Sequence, residues 1–408
     1  MRVLALPSPS AATHIMAMVP LMWALRAAGH EVLFAGTPDI AGSAHAAGFS
    51  FAALGSSENF NRDLYVDPGD RFPVEEWKHR ETTRYGRFLV EMLADLHADY
   101  ADAALPDYER FAREWQPDLL LPDSTALIGR VLGGVLGVPV ATHRYGVDAT
   151  GPVYHDKARW DLAPLCDRLG LAGLPDSDLV LDPCPPSLQS REASPGLRMR
   201  YVPFNGAGTV ADWALRPSPR KRVCICFGKT LLSICGPRPL VRVAEALAGL
   251  DDVEVVLAVS KSDVGLIGEL PPHWRVVELM PLTLFLPGCD LLIALGGSGA
   301  ALSAAALGVP QLVLPQVFDH FDCASRIQEA GAGLSIDTRA AQADIGGIRD
   351  AISTILGDPS YAAAARRVRE ENEAGLTPAE VVPVLEQLAA DRRSGEHRVA
   401  RPRAGAPS

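Results

Sequence analysis

Several residues of this 408-residue chain have side chains and spacings suited to joint chemistry. His14 stands a few positions after the apolar run 2–6, and Asp123 follows another, 119–121. An imidazole with an ordinary pKa of ~6.5 suits a general base, and a carboxylate can fix its tautomer and stabilise the imidazolium. The bland alternatives are a first-turn helix histidine satisfied by water, and a helix N-cap for Asp123. Much further on, the apolar run 291–295 enters Gly296-Gly297-Ser298-Gly299 and leaves on a small-residue segment, 300–306. Such a turn directs backbone N–H groups and a positive helix end at an anion, usually a phosphate, unless it is only a tight connection. Asp319-His320-Phe-Asp322 follows the run 311–314 and Pro315, where its acceptors could hold sugar hydroxyls or simply begin a helix.

These residues need a scaffold. Residues 2–6 read as a strand, 14–28 carry apolar residues at helical spacing with Gly29 as the C-terminal cap, and 31–35 read as a second strand. Strand, helix and strand within about 35 residues make a βαβ unit, hence a parallel sheet. The pattern recurs at 118–121, 126–136 and 138–143. Between the two, residues 56–115 are rich in Arg, Glu, Tyr and Phe and predict helices and long loops, a natural variable substrate wall. Around 205–222 the composition shifts, with Gly206, Gly208, Pro217, Pro219 and a basic cluster marking a linker. Alternation then resumes, with strands at 223–227, 253–259, 275–279, 291–295 and 311–314 and a helix at 239–250. The expected organisation is an N-terminal domain 1–204, a linker 205–222, a C-terminal domain 223–391 and a disordered tail 392–408. Both domains are α/β and Rossmann-like, and a shared ligand belongs in the central cleft between them.

Composition narrows the function classes. A formal net charge of −11 argues against nucleic acid or an anionic membrane as partner. No apolar stretch approaches the ~18 residues of a transmembrane helix, and Pro7 breaks an N-terminal apolar run too short for a signal peptide. Seven scattered cysteines form no disulfide framework, so reducing cytoplasm is expected, with Cys224 and Cys226 on a buried strand. No metal site is expected from the ligand spacing. A dinucleotide fingerprint fails because Leu302 stands at the third glycine, and a Walker loop ending Phe227-Gly-Lys-Thr230 fails because Val223 stands at the first. A serine-hydrolase elbow lacks its last glycine at Ala300. Asp176-Ser-Asp178 follows Leu-Pro without a strand and reads as turn chemistry.

Longer stretches resemble a family. Pro-Ser-Pro-Ser-Ala-Ala-Thr13-His14 and Val19-Pro-Leu-Met-Trp-Ala-Leu-Arg-Ala-Ala-Gly-His-Glu-Val32 look like the start of bacterial antibiotic (macrolide) glycosyltransferases of the GT-B fold. Gly308-Val-Pro-Gln-Leu-Val-Leu-Pro315, Asp319 and Gly331-Ala-Gly333 strengthen the likeness, which covers roughly residues 1–390. Residues 126–134, His143-Arg-Tyr-Gly-Val-Asp148, Leu181-Asp-Pro-Cys-Pro-Pro-Ser-Leu188 and Arg222-Val-Cys-Ile-Cys226 look more closely like the spinosyn-type rhamnosyltransferase branch.

The resemblance implies an inverting, metal-independent transfer of a deoxysugar, rhamnose in that branch, from a TDP-sugar to a hydroxyl of a macrolide or polyketide aglycone. The TDP-sugar would be co-substrate, with no further cofactor. His14 would be the base and Asp123 its orienter. The nucleotide side would comprise Gly228, Leu279 and Met280 beside the thymine, Gly296, Gly297, Ser298 and Gly299 on the diphosphate, and Asp319 and His320 on the sugar. The acceptor side would comprise Thr13, Met16, Arg144 and Tyr145. A homodimer is also implied. The chain departs from the family at Leu295, usually His, at His320, commonly Gln, and at Leu279, commonly Trp. Losing a charge-assisted imidazole contact costs on the order of 1.5–3 kcal/mol if nothing replaces it. Leu295 therefore keeps a second reading open, a non-catalytic relative that binds nucleotide sugar or aglycone and assists another transferase.

Overall fold

Apolar runs alternate with helices twice along the chain, and in both halves the runs become parallel strands. The computed structural model describes residues 1–57, 74–79, 82–228, 236–250, 252–259, 264–265, 267–278 and 280–394. In the first half, β1 (Arg2–Leu6) leads through α1 (Ala12–Ala27) to β2 (Glu31–Gly36), α2 (Ala41–Ala46) and β3 (Phe51–Ala53). Helices α3 (Val74–Lys78) and α4 (Arg84–Trp115) precede β4 (Leu119–Pro122). Then come α5 (Leu127–Leu136), β5 (Ala141–His143), α6 (Pro152–Arg168), β6 (Leu179–Asp182) and β7 (Leu197–Arg198). The strand order is β3-β2-β1-β4, continued by β5-β6-β7. Isolated bridges Leu120 to Val140 and Asp123 to His143 join the two parts.

The second half repeats the plan. It runs through β8 (Lys221–Cys226), α7 (Arg238–Ala248), β9 (Val253–Ala258), β10 (Arg275–Val277) and β11 (Leu291–Ala294). It continues with α8 (Ser298–Leu307), β12 (Gln311–Val313), α9 (Asp319–Glu329), β13 (Gly333–Ser335), α10 (Arg339–Ala343), α11 (Ile345–Gly357) and α12 (Pro359–Glu373), and ends with α13 (Pro378–Ser394). Its sheet is β10-β9-β8-β11-β12-β13, every pair parallel. Central strands covered by helices on both faces must be apolar on both. In β1, Val3 and Ala5 pack towards α1, whereas Leu4 and Leu6 pack towards α4 and α5. In both halves the strand order reverses at the central pair, β1/β4 and β8/β11, the switch points where open α/β sheets take ligands beyond the strand ends.

The expected domain limits need correction at three places. Strand β8 begins at Lys221, so the linker closes before the expected residue 222. Helix α13 does not belong to the second half, because Val381, Val382, Leu385 and Leu388 are buried in the core that holds Val3, Ile15 and Met18. It also runs to Ser394, past the expected start of the tail at 392; residues 395–408 lie outside the described residues. The chain therefore crosses between halves twice, side by side. Met199 bridges Leu376, and the Asn372 side chain accepts from the Tyr201 N–H at 2.8 Å and donates to its carbonyl at 3.0 Å.

Candidate active site

His14 lies in the first turn of α1, just beyond β1, and Asp123 lies just beyond the neighbouring strand β4. Parallel register brings the two residues together although 109 positions separate them, and His14 Nδ1 is 3.0 Å from Asp123 Oδ2. Asp123 is held for this task. Its Oδ1 accepts from the Thr125 N–H at 2.9 Å and the Thr125 hydroxyl at 2.7 Å, which leaves Oδ2 to the imidazole. The Thr125 hydroxyl in turn lies 2.8 Å from that of Ser8. An anionic acceptor at Nδ1 fixes the proton there, so the lone pair sits on Nε2. Tyr145 stacks on the imidazole with centroids 4.1 Å apart and planes at 26°. The Asp123 side chain is 0% exposed and that of His14 18%, so only the base meets solvent.

Electrostatics follow from this packing. Burial lowers the His14 pKa, but the charge and hydrogen bond of Asp123, with Asp319 beyond, more than reverse it, and the net shift is upward. Burial raises the Asp123 pKa, and the His14 and Thr125 interactions outweigh it, so Asp123 stays below the usual carboxylate range. Two further buried imidazoles lie near Asp123. His97 meets the Tyr154 hydroxyl at 2.9 Å, and burial brings both His97 and His143 down to about 4.

The second half faces this pair with the glycine turn. Gly296 has φ +94°, and a Cβ there would lie 3.0 Å from the His320 carbonyl oxygen. Positive φ and close backbone approach both require glycine at that position. Helix α8 starts at Ser298, and no side chain caps it, an arrangement in which the N–H groups of a first turn can receive an anion. The Ser298 hydroxyl donates to Asp319 Oδ2 at 3.2 Å. Burial, resisted by His14 and Ser298 and reinforced by Asp322, pushes the Asp319 carboxyl up to about 6. His320 is neutral, pushed by burial to about 3. Its Nδ1 finds no hydrogen-bond partner among the described residues, and its Nε2 lies 3.6 Å from where a Cβ on Gly297 would sit. Leu295 is 2% exposed and packs into the core with Leu312 and Leu314, so the imidazole beside this turn comes from α9 instead.

The halves touch at the site. A Cβ on Gly146, in the loop after β5, would lie 2.1 Å from the Ser298 hydroxyl, and the Tyr201 hydroxyl donates to the Gly299 carbonyl at 3.4 Å. Phe318, directly before Asp319, has φ 30° and ψ −110°, a conformation costing a bulky residue on the order of 1–3 kcal/mol. Its ring and that of Phe321 are buried in the core of the opposite half.

The remaining expected residues are distributed unevenly. Thr13 is exposed and Met16 half-buried, both on α1 around His14, and Gly228 is exposed at the end of β8 with φ +70°. Met280 is half-buried against the cluster of Cys224 and Val256, while Leu279 lies outside the described residues. Arg144 is a correction. It is 2% exposed, and its guanidinium donates to Asp148 at 2.9 Å, Asp182 at 2.7 Å and the Ser194 hydroxyl at 2.9 Å. It holds the loop that carries Tyr145, with four of its five N–H donors committed to these residues and the Ser194 carbonyl. Sequence reasoning overlooked Thr125, Gly146 and Phe318. Thr125 alone carried a signal, the Asp-x-Thr spacing of a side-chain turn. Among the described residues no group of three or more potential metal ligands gathers.

The same arrangement runs through known proteins. Residues 23–228 match the model of "Erythromycin biosynthesis protein CIII-like, N-terminal domain", and 242–388 match its C-terminal domain. L-demethylnoviosyl transferase of Streptomyces niveus is 37% identical, covering 93% of this chain and 96% of its own. The 10-deoxymethynolide desosaminyltransferase of Streptomyces venezuelae is 33% identical over the same shares, 93% and 96%. Among solved structures, the spinosyn rhamnosyltransferase SpnG superposes with a TM-score of 0.88 at 44% identity, covering 95% of this chain and 100% of SpnG. SpnG has also been solved with thymidine diphosphate and with spinosyn aglycone. With its two parallel-sheet halves of GT-B type, the chain is a glycosyltransferase and belongs to the erythromycin biosynthesis protein CIII-like family.

Proposed function

We propose that the protein moves a deoxysugar, rhamnose by its likeness to SpnG, from a TDP-sugar to a hydroxyl of a macrolide or polyketide aglycone, with inversion and without a metal. The observation that carries this reading is the His14–Asp123 pair facing Asp319 across the contact between the halves. Nε2 of His14 takes the proton of the acceptor hydroxyl as its oxygen attacks the anomeric carbon. The bond from that carbon to the β-phosphate oxygen breaks, and TDP leaves with the electron pair. Asp123 stabilises the imidazolium formed, and the turn at Gly296 with the N-terminus of α8 receives the charge that develops on the diphosphate. Asp319 accepts from sugar hydroxyls and fixes the ring for in-line attack.

Replacing His14 by Ala tests the base. With TDP-rhamnose and a macrolide aglycone, turnover of the folded variant should fall about 10²–10⁴-fold. Turnover at the wild-type level would remove His14 from this role.

A further inference from the structure

The short helix α3 lies in the stretch expected to form the substrate wall of the first half, yet it is fastened to the second. The Trp77 ring meets that of Phe318 edge-on, centroids 5.9 Å apart. Lys78 pairs with Asp337 at 2.9 Å, and the Arg339 N–H donates to the Glu75 carboxylate at 2.7 Å. Phe318 and Asp337 lie in the loops that leave the carboxyl ends of β12 and β13, the edge that faces the cleft, and Arg339 is the first residue of α10. Trp77 and Val74 are buried in one cluster with Leu89, Val90 and Phe318. One helix thus packs at once on the long helix α4 and on the residue before Asp319.

The backbone at Phe318 gives this contact its meaning. With φ 30° and ψ −110° the residue holds a conformation that a side chain disfavours. Its ring is kept in place by the opposite half, through Trp77. The next residue is Asp319, first of α9, whose carboxyl accepts from Ser298 and feels the charge of His14. The Trp77 ring contact thus links the seating of α3 to Phe318 and, through the chain, to Asp319.

We propose that Trp77 and Phe318 are positioning residues that couple the acceptor wall to the sugar end of the donor site, so that α3 sets the aim of Asp319. The inference rests on the donor reading above and extends it. On that reading the nucleoside diphosphate sits on the glycine turn and α8, whereas α3 is fastened to Phe318, Asp337 and Arg339 and the sugar depends on Asp319. The two parts of the donor should then respond differently to α3. By thermodynamic reciprocity, an aglycone that settles α3 tightens the sugar-bearing donor more than the bare nucleotide.

The test measures equilibrium binding of TDP and of TDP-rhamnose to the full-length protein, with and without aglycone. Trp77→Ala should leave TDP affinity within about twofold and weaken TDP-rhamnose about tenfold, and Trp77→Phe, which keeps a ring, should restore most of the loss. Lys78→Glu breaks the tether at the surface without opening the core, and should move the same ratio about threefold. Equal losses for both ligands in Trp77→Ala, or no change in the ratio in either Trp77→Ala or Lys78→Glu, overturn the coupling. A wild-type protein that does not bind TDP overturns the donor reading itself, and the coupling with it.

Discussion

His14 has one ring nitrogen committed to Asp123, and the task left to the other can be read from its titration. The base works only unprotonated. Its pKa is raised, so the proton that blocks Nε2 departs above the ordinary ~6.5 of an imidazole. Asp319, at about 6, sheds its proton in the same region and gains acceptor strength as it does. kcat/KM should therefore climb with pH through and beyond this range. Asp123→Asn removes the charge that raises His14, so the apparent pKa should move down while the plateau falls by about 10²-fold or more, since the tautomer is no longer held. A pH–rate profile checks both, and an unmoved pKa in the variant would count against the pairing as the source of the shift. His14 and Asp123 were legible because each follows an apolar strand, and strand ends are where α/β sheets put chemistry. Arg144 was misread for a reason sequence cannot supply, since its three partners at positions 148, 182 and 194 converge only once β5 and β6 are paired.

The glycine turn and the loop after β5 meet more tightly than either needs for its own fold. Gly146 leaves no room for a side chain over Ser298. Gly146→Ala should hold the halves slightly apart, and a misplacement of that size costs about 10²-fold in kcat. Its thermal midpoint should barely change, because the first-half core does not use this glycine. Steady-state rates beside a melting curve decide the matter; unaltered kcat would mean that the contact is not part of the working state. Long amphipathic or strongly apolar segments were legible, among them α1, β1, β4, β8 and β11. The short strands β3, β7 and β13, with β6 at only four residues, were not. Runs of two or three residues with no longer apolar stretch around them display no period, and β6, no shorter than β4 or β11, was simply not read. These strands pair at the edges that β2, β5, β6 and β12 offer. Helix α4 is the converse, 32 residues and about 48 Å long. Its stretch read only as helices and loops, since polar residues cover its outer face.

In the whole molecule, the division into two halves was foreseen from composition, but the return of α13 was not. Its sequence is that of any surface helix, and only the filled core beside α1 shows where it docks. A chain ending at Ala374 would lose the burial of Val381, Val382, Leu385 and Leu388. At ~1.5–3 kcal/mol for each such side chain, that is on the order of 6–12 kcal/mol as an upper bound, comparable to the entire stability of a domain. Such a truncation should yield no cooperative unfolding transition by calorimetry, and a wild-type transition would refute the docking. The paired crossing near Tyr201 and Asn372 also governs how this protein can be recombined. A chimaera drawing its two halves from different relatives cannot be spliced at one point in the linker. It needs a second splice near residue 375, so that the last helix travels with the half it covers rather than with the half it follows.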